Sequence, residues 1–585
     1  MKFLRNLLAS ITGFFIAIFL LFFFFIAIAA VVGSGMGSDE KIVVKSNSVL
    51  QLDLAMPIKD YAPKDDNPLA EILELADEKL ALNKIINAIE NAKTDTKIKG
   101  ISIKTIGVNA GIAQTQAIRN KIEEFKESGK FVYAYNDVYT QKNYYLSSVA
   151  DSIFLNPVGA IDFKGLSTEI LYYKDFEDKF GVKMEVIRHG KYKSAVEPYL
   201  LNEMSDANRE QTTSLLKSIW SEITADVSKS RNISVEKLNI IADNANGRNA
   251  ELAKENKLID AIIYEDQYKE KLAINTDKKV HTISLADYIK SGKGRISSSA
   301  KNKIAVIYAQ GEIRYAKGNE NIIGQEITNK AIRKARKDKN VKAIVLRVNS
   351  PGGSALASEL IWRELELAKK EKPLVVSMGN LAASGGYYIA CNADKIIAEP
   401  TTITGSIGVF GAVPNFHKLA GFMGINAEQV STNSNPNYSV FEPINDKFYN
   451  VTKQGVEHIY TVFVNRVATG RNMTFEQVNN VAQGRVWTGK QAVENGLVDQ
   501  LGNLNDAIAV AANLAEIESY RVRNYPVYKK DFKEAFNLSL FAKASKEDIL
   551  KEALGDENYE LYNNINALKK LEGIQARMPY ILQIK

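Results

Sequence analysis

The 585-residue chain reads as an α/β protein, two tandem copies of a βαβ unit behind one N-terminal transmembrane helix. Three observations predict this. A charge-free apolar run opens the chain, four segments recur in order about 240 residues apart, and short β-rich runs alternate with amphipathic helical patterns.

The apolar run comes first. Residues 6–38 carry no charge, and residues 14–32 form an unbroken apolar stretch of 19. A spanning helix needs about 20 such residues to cross roughly 30 Å of hydrocarbon, whereas the apolar part of a cleavable signal is about 7–15 residues. Lys2 and Arg5 precede the run, and Asp39, Glu40 and Lys41 follow it. The excess of basic residues on the leading side predicts a short cytoplasmic N-terminus (1–7), a signal anchor (8–32) and a body outside the cytoplasm. Ala27, Ile28 and Ala29 also have the small-residue pattern of a cleavage site, so processing of the anchor stays open.

The repeat comes next. Residues 95–105 lie over 338–348, and 181–185 over 424–428, both at an offset of 243. Residues 231–236 match 471–476 at 240, and 253–260 match 492–499 at 239. Four matches in order with so little drift imply a duplication. The first repeat domain is placed at 45–290, a Gly/Ser-rich linker at 291–301 and the second repeat domain at 302–523, with a charged, helical C-terminal extension at 524–585. In the second copy, 304–308, 343–348, 374–378 and 395–398 are β-rich, and 354–370 has helical spacing. Strands alternating with helices imply a mainly parallel sheet.

Composition narrows the chemistry. With 75 Lys+Arg against 68 Asp+Glu, the net charge of +7 is spread thinly, so no nucleic-acid surface is expected. Cys391 is the single cysteine, which excludes a disulfide framework and a multi-cysteine metal site. His189, His281, His417 and His458 show no HExxH or paired spacing. No metal or other cofactor is expected.

Four features could carry chemistry. Asn349 to Ser354 places Pro351, Gly352 and Gly353 directly after a strand, where backbone N–H groups can approach an anion closely. An ordinary βα turn would use the same residues. Ser384, after Ala382 and Ala383 and before Gly385 and Gly386, puts an unobstructed hydroxyl at a strand-to-helix turn, with the next N–H aimed at a developing oxyanion. The bland alternative is a serine N-cap. Lys191 and Lys193, between Gly190 and Pro198, would ordinarily be solvated. At the repeat offset, however, Lys193 falls on Pro436 and Ser384 near Gln141. Each copy thus holds what the other lacks, as expected of one site assembled from both. The fourth feature, residues 402–408, is a small-residue loop that could line a groove.

With the anchor, the duplication and the motifs at 347–354, 378–388, 404–408 and 192–198, the chain resembles the signal peptide peptidase A (protease IV) family in its long membrane-anchored bacterial form. That resemblance covers roughly residues 45–520. It implies a Clp-protease/crotonase-like fold, a homotetramer and a Ser–Lys dyad split between the copies. Ser384 would be the nucleophile and Lys193 the general base, with Gly385, Gly352 and Gly353 as oxyanion donors and Ser194 and Ser406 as supporting groups. Its substrates would be cleaved signal peptides and other peptides, met at the bacterial inner membrane on its periplasmic side, with lipid around the anchor. The chemistry agrees: serine needs a base, and a lysine with an ordinary pKa near 10.4 must be buried to serve as one. Competing readings are a crotonase-like acyl-thioester enzyme, a non-catalytic membrane scaffold, and a triad using His189 as a remote partner.

Overall fold

The computed structural model describes residues 2–35, 42–63, 79–276, 280–433, 438–528 and 575–577. Helix Lys2–Gly35 leads. Its stretch Arg5–Phe24 is, among the described residues, the one helix long and apolar enough to cross a membrane, and none of that stretch is buried.

Each copy then builds a mainly parallel sheet, the second ending in the antiparallel strand Val486–Thr488. The first runs in spatial order Ala261–Ile262, Ser152–Ile161, Phe131–Tyr139, Ile98–Ile103, Ser48–Leu52 and His281–Ser284, with every pairing parallel. The second repeats the plan with Ile403–Gly405, Leu374–Ala383, Val341–Ser350, Lys303–Gln310 and Arg521–Tyr525, also parallel. Central strands such as Val341–Ser350 are buried along most of their length, with an apolar run at Ala343–Leu346, as strands covered on both faces are.

The duplication reaches the level of helix ends. Leu82–Thr94 answers Gln325–Lys337, and Ile112–Lys126 answers Ala355–Lys369. The 26-residue helices Asp206–Arg231 and Asp446–Arg471 both stop on a left-handed asparagine, Asn232 (φ 53°) and Asn472 (φ 54°). Asparagine tolerates that conformation better than other side-chain-bearing residues.

A third, mixed sheet of six strands joins the copies. Its order is Ile322–Gly324, Glu312–Arg314, Gly352–Ser354, Gln575–Arg577, Val409–Asn415 and Lys183–His189. Lys183–His189 comes from the first copy and pairs antiparallel with Val409–Asn415 of the second along its whole length. A second tie is the ion pair of Arg347 with Asp60, 3.1 Å apart and each 1% exposed. Arg347 also donates to Ser377 Oγ (2.8 Å) and the Met378 carbonyl (2.9 Å), and Asp60 accepts from Gln114 Nε2 (3.1 Å).

Most elements lie where the sequence puts them, with one extension that matters. The strand expected at 374–378 continues to Ala383: past a register shift Ala382 pairs with Ser350 on one side, and Leu381–Ala383 pairs with Ile403–Gly405 on the other. Of the helical extension expected at 524–585, Arg521–Tyr525 completes the second sheet and Gln575–Arg577 is a strand. Residues 529–574 and 578–585 lie outside the described residues.

Candidate active site

The extended strand delivers Ser384 to the start of helix Gly385–Ala390. Ser384 sits at φ 55°, ψ −116°, a conformation that side-chain-bearing residues rarely adopt and that costs on the order of 1–3 kcal/mol. Two backbone bonds hold it there: its N–H donates to the Gly405 carbonyl (2.8 Å), and its own carbonyl accepts from Tyr388 N–H (2.8 Å). The hydroxyl does not cap the helix.

The first copy shows what an ordinary cap looks like at the same place. Strand Phe131–Tyr139 ends, Thr140 takes extended angles (φ −65°, ψ 158°), and its hydroxyl accepts from Asn143 N–H before helix Gln141–Ser147. The structure therefore sets Thr140 under Ser384, one residue from the Gln141 that the sequence offset suggests. Pro436, the residue matched to Lys193, lies outside the described residues.

Lys193 follows strand Lys183–His189 and a turn at Gly190, just ahead of the short 3₁₀ helix Ser194–Tyr199. Its side chain is fully buried. Nζ lies 2.9 Å from Ser384 Oγ, 3.1 Å from Ser406 Oγ and 3.2 Å from the Ser406 carbonyl. Burial holds its pKa well below the usual lysine value. A neutral amine has two N–H donors and one lone pair. Both oxygens of Ser406 accept from Nζ, an arrangement that in a neutral amine would leave the lone pair for the Ser384 hydroxyl.

The lysine loop is clasped by the second copy. Tyr192 N–H donates to the Gln483 carbonyl (2.8 Å). Gly484, at φ 80°, packs so tightly that a β-carbon there would stand 2.6 Å from Lys193 N. Gln211 Nε2 donates to the Tyr192 carbonyl (3.0 Å) and to Ser194 Oγ (2.9 Å), while its Oε1 accepts from Val486 N–H (3.3 Å).

The predicted residues thus separate into those gathered at one point and those nearby. Ser384, Lys193 and Ser406 meet directly, and Ser406, at φ 50°, presents both oxygens to the amine. Gly385 is the first residue of its helix, so its N–H has no acceptor within that helix. Gly352 and Gly353, at φ 97° and 151°, lie alongside: a β-carbon on Gly352 would stand 2.7 Å from Gly385 N. The Gly352 N–H itself donates to Ser350 Oγ (3.1 Å). Ser194 is buried, with its hydroxyl turned to Gln211. His189 faces elsewhere, with Nδ1 2.6 Å from Glu457 Oε2 and its ring stacked on Tyr460 at 3.7 Å. Gly484, Gln211 and the Asp60–Arg347 pair escape sequence reasoning, since their partners lie far away in the chain.

Peptidase family S49 matches residues 124–280 and 366–518, one stretch in each copy. The chain belongs to this family. Protease 4 of Haemophilus influenzae is 36% identical over 512 residues, covering 84% of this chain and 83% of its own. A chloroplastic serine protease SPPA of Arabidopsis thaliana is 34% identical over 81% of this chain and 70% of its own. Among solved structures, a point mutant of ClpP1 from Listeria monocytogenes covers 35% of this chain and 94% of its own at 14% identity, with a TM-score of 0.25. This S49 protein is accordingly a serine protease, and its two family matches fall on the two halves of the duplication.

Proposed function

We propose that this protease is a membrane-anchored endopeptidase using a Ser–Lys dyad to digest cleaved signal peptides at the membrane. The observation that carries the reading is the 2.9 Å approach of a fully buried Lys193 amine to Ser384 Oγ. Lys193 takes the hydroxyl proton as Ser384 attacks the scissile carbonyl, then returns it to the leaving amine. The Gly385 N–H and the backbone at Gly352 and Gly353 stabilise the developing oxyanion. Ser406 orients the amine by accepting its two N–H bonds, and Ser194 supports the loop through Gln211.

Anchoring rests on helix Lys2–Gly35, and the basic Lys2 and Arg5 favour a body on the periplasmic side of a bacterial inner membrane. We infer a homotetramer from the family resemblance. The exposed Phe176, Phe180, Phe422, Met423 and Ile425 on and beside two adjacent short helices offer apolar surface for such assembly.

The deciding experiment is labelling with a serine-reactive fluorophosphonate alongside hydrolysis of a signal-peptide substrate. The wild-type chain does both, and Ser384→Ala and Lys193→Ala each lose both. Labelling that survives in Ser384→Ala would overturn the assignment.

A further inference from the structure

One arginine of the second copy reaches both neighbours of the lysine amine. Arg485 stands just ahead of strand Val486–Thr488, which pairs antiparallel with Ile403–Gly405. Its carbonyl accepts from Ser406 N–H (2.7 Å) and so fixes the residue whose two oxygens meet Lys193 Nζ. Its side chain reaches Tyr192, the residue before Lys193 in the first copy. The guanidinium carbon lies 4.9 Å from the centre of the Tyr192 ring and 4.4 Å from that of Trp487. Nη1 donates to Glu210 Oε1 (2.8 Å) and to the Tyr192 hydroxyl (3.3 Å), and that hydroxyl donates to Glu210 Oε2 (3.1 Å). Trp487 is fixed in turn, its Nε1 donating to the Val481 carbonyl (2.9 Å).

The ion pair alone would do little, since Glu210 is 50% exposed and exposed pairs contribute little. The ring contacts are the tighter part. Arg485 is only 18% exposed, and its Nε is buried with no acceptor among the described residues. A flat guanidinium suits two aromatic faces in a way that an ammonium does not. At the repeat offset of 239, Arg485 falls on Asn246, so the first copy has a short amide where the second has this long planar cation.

We infer that Arg485 is a positioning residue for the dyad: its side chain clamps Tyr192, its carbonyl holds Ser406, and together they set the reach of Lys193 Nζ to Ser384 Oγ. The inference rests on the dyad reading of the same site and adds to it a residue that ties the base to the group orienting it. Releasing Tyr192 would let water reach the amine. Solvation favours the charged form, so the lysine would titrate closer to its ordinary value. The charged and titratable groups around the turn are Arg188, which donates to the Lys193 carbonyl (3.0 Å), Glu197, His189, Lys191, Glu210 and Arg485 itself. Among the described residues, the hydrogen bonds of Nζ go to Ser384 and Ser406 alone.

Reporter-peptide kinetics against pH, with fluorophosphonate labelling and melting curves, test this on the full chain in detergent. The variants are Arg485→Leu, Arg485→Lys and Tyr192→Leu. Each should lower kcat at pH 7 by about 10- to 100-fold with little change in KM. Each should also move the rise of kcat/KM to higher pH, so that activity recovers towards about pH 10. Arg485→Lys and Tyr192→Leu keep the positive charge at 485, so a shift in them comes from lost packing. The double variant Arg485→Leu/Tyr192→Leu should be little worse than either single one, because both break one clamp. Wild-type kcat and pH profile in all three would overturn the positioning role and leave the dyad standing. A shift confined to Arg485→Leu would assign the effect to charge and also overturn it. Lost activity with an unshifted profile would make Arg485 a structural residue only, with the same consequence. Full hydrolysis and labelling by Lys193→Ala would sink the dyad and the positioning role together.

Discussion

In the proposed dyad, Lys193 is useful to the reaction because it is costly to the fold. Its pKa is held down by burial, so between that depressed value and about 10.4 the unfolded chain binds a proton that the folded chain does not. Stability therefore rises with pH from the depressed value towards about 10.4, where the unfolded lysine also loses its proton. Lys193→Met should be inert yet melt higher than wild type at pH 7, each unit of depression being worth about 1.4 kcal/mol. Melting curves at pH 7 and pH 10 check this, since the advantage should shrink at the higher pH; a constant gap would contradict it. Activity follows the same titration: wild-type kcat/KM should climb with pH through the depressed pKa and then level off. Lys193→Arg should be dead throughout, because a guanidinium with pKa above about 12 cannot accept the proton. Ser384 carries the other cost, its positive φ. Ser384→Gly and Ser384→Ala both lack the hydroxyl, but only glycine relaxes the turn. Ser384→Gly should be the more stable of the two by roughly 1 kcal/mol after glycine's extra chain entropy is subtracted. Equal urea midpoints would mean that the turn is unstrained.

Between elements, the decisive contact is the loop at 482–485 against the lysine turn. Gly484→Ala would force a β-carbon to within 2.6 Å of Lys193 N at a φ that disfavours alanine. The lysine backbone must shift, and a displacement near 1 Å is enough to lower kcat about 100-fold. The expected result is lost kcat with little change in KM, because the loop touches Lys193, the proposed base. A change in KM alone would argue against this role. The same contact marks the limit of what sequence shows. The apolar anchor, the duplicated βαβ units and the strand-to-helix turn at Ser384 are legible because they are local patterns of hydrophobicity and small residues. The complementary placement of Ser384 and Lys193 is legible because the repeat supplies an internal reference. The rest depends on pairing across long separations. Nothing near Gly484 in sequence announces Lys193, and nothing near Arg347 announces Asp60. The strand at Gln575–Arg577 is equally hidden, since its partners stand more than 160 residues away. The choice between cap and nucleophile at Ser384 is likewise a matter of dihedral angles: Thr140, at the equivalent turn, caps its helix with the same kind of group.

At the scale of the whole molecule, the site belongs to neither copy. The first supplies Lys193 and the strand Lys183–His189, the second supplies Ser384 and Ser406, and the mixed sheet and the Asp60–Arg347 pair hold the two in register. Removing one member of that buried pair strands the other charge, so Arg347→Met should cost about 3–5 kcal/mol, read as a lowered denaturation midpoint. Replacing both members with apolar residues should recover most of the loss, because the pair's own attraction is largely offset by desolvation. Ser384 and Lys193 also come from a single chain, which makes a definite prediction for assemblies. Full-length Lys193→Ala and Ser384→Ala chains, each inert, should remain inert when co-expressed and purified together. Every chain in the mixture lacks one half of the proposed dyad, and a neighbour's intact residue has no route into a site closed by internal strand pairing. Peptide hydrolysis in the mixture would mean that serine and lysine meet between chains, and the pairing of Lys183–His189 with Val409–Asn415 would then have to be exchanged between subunits.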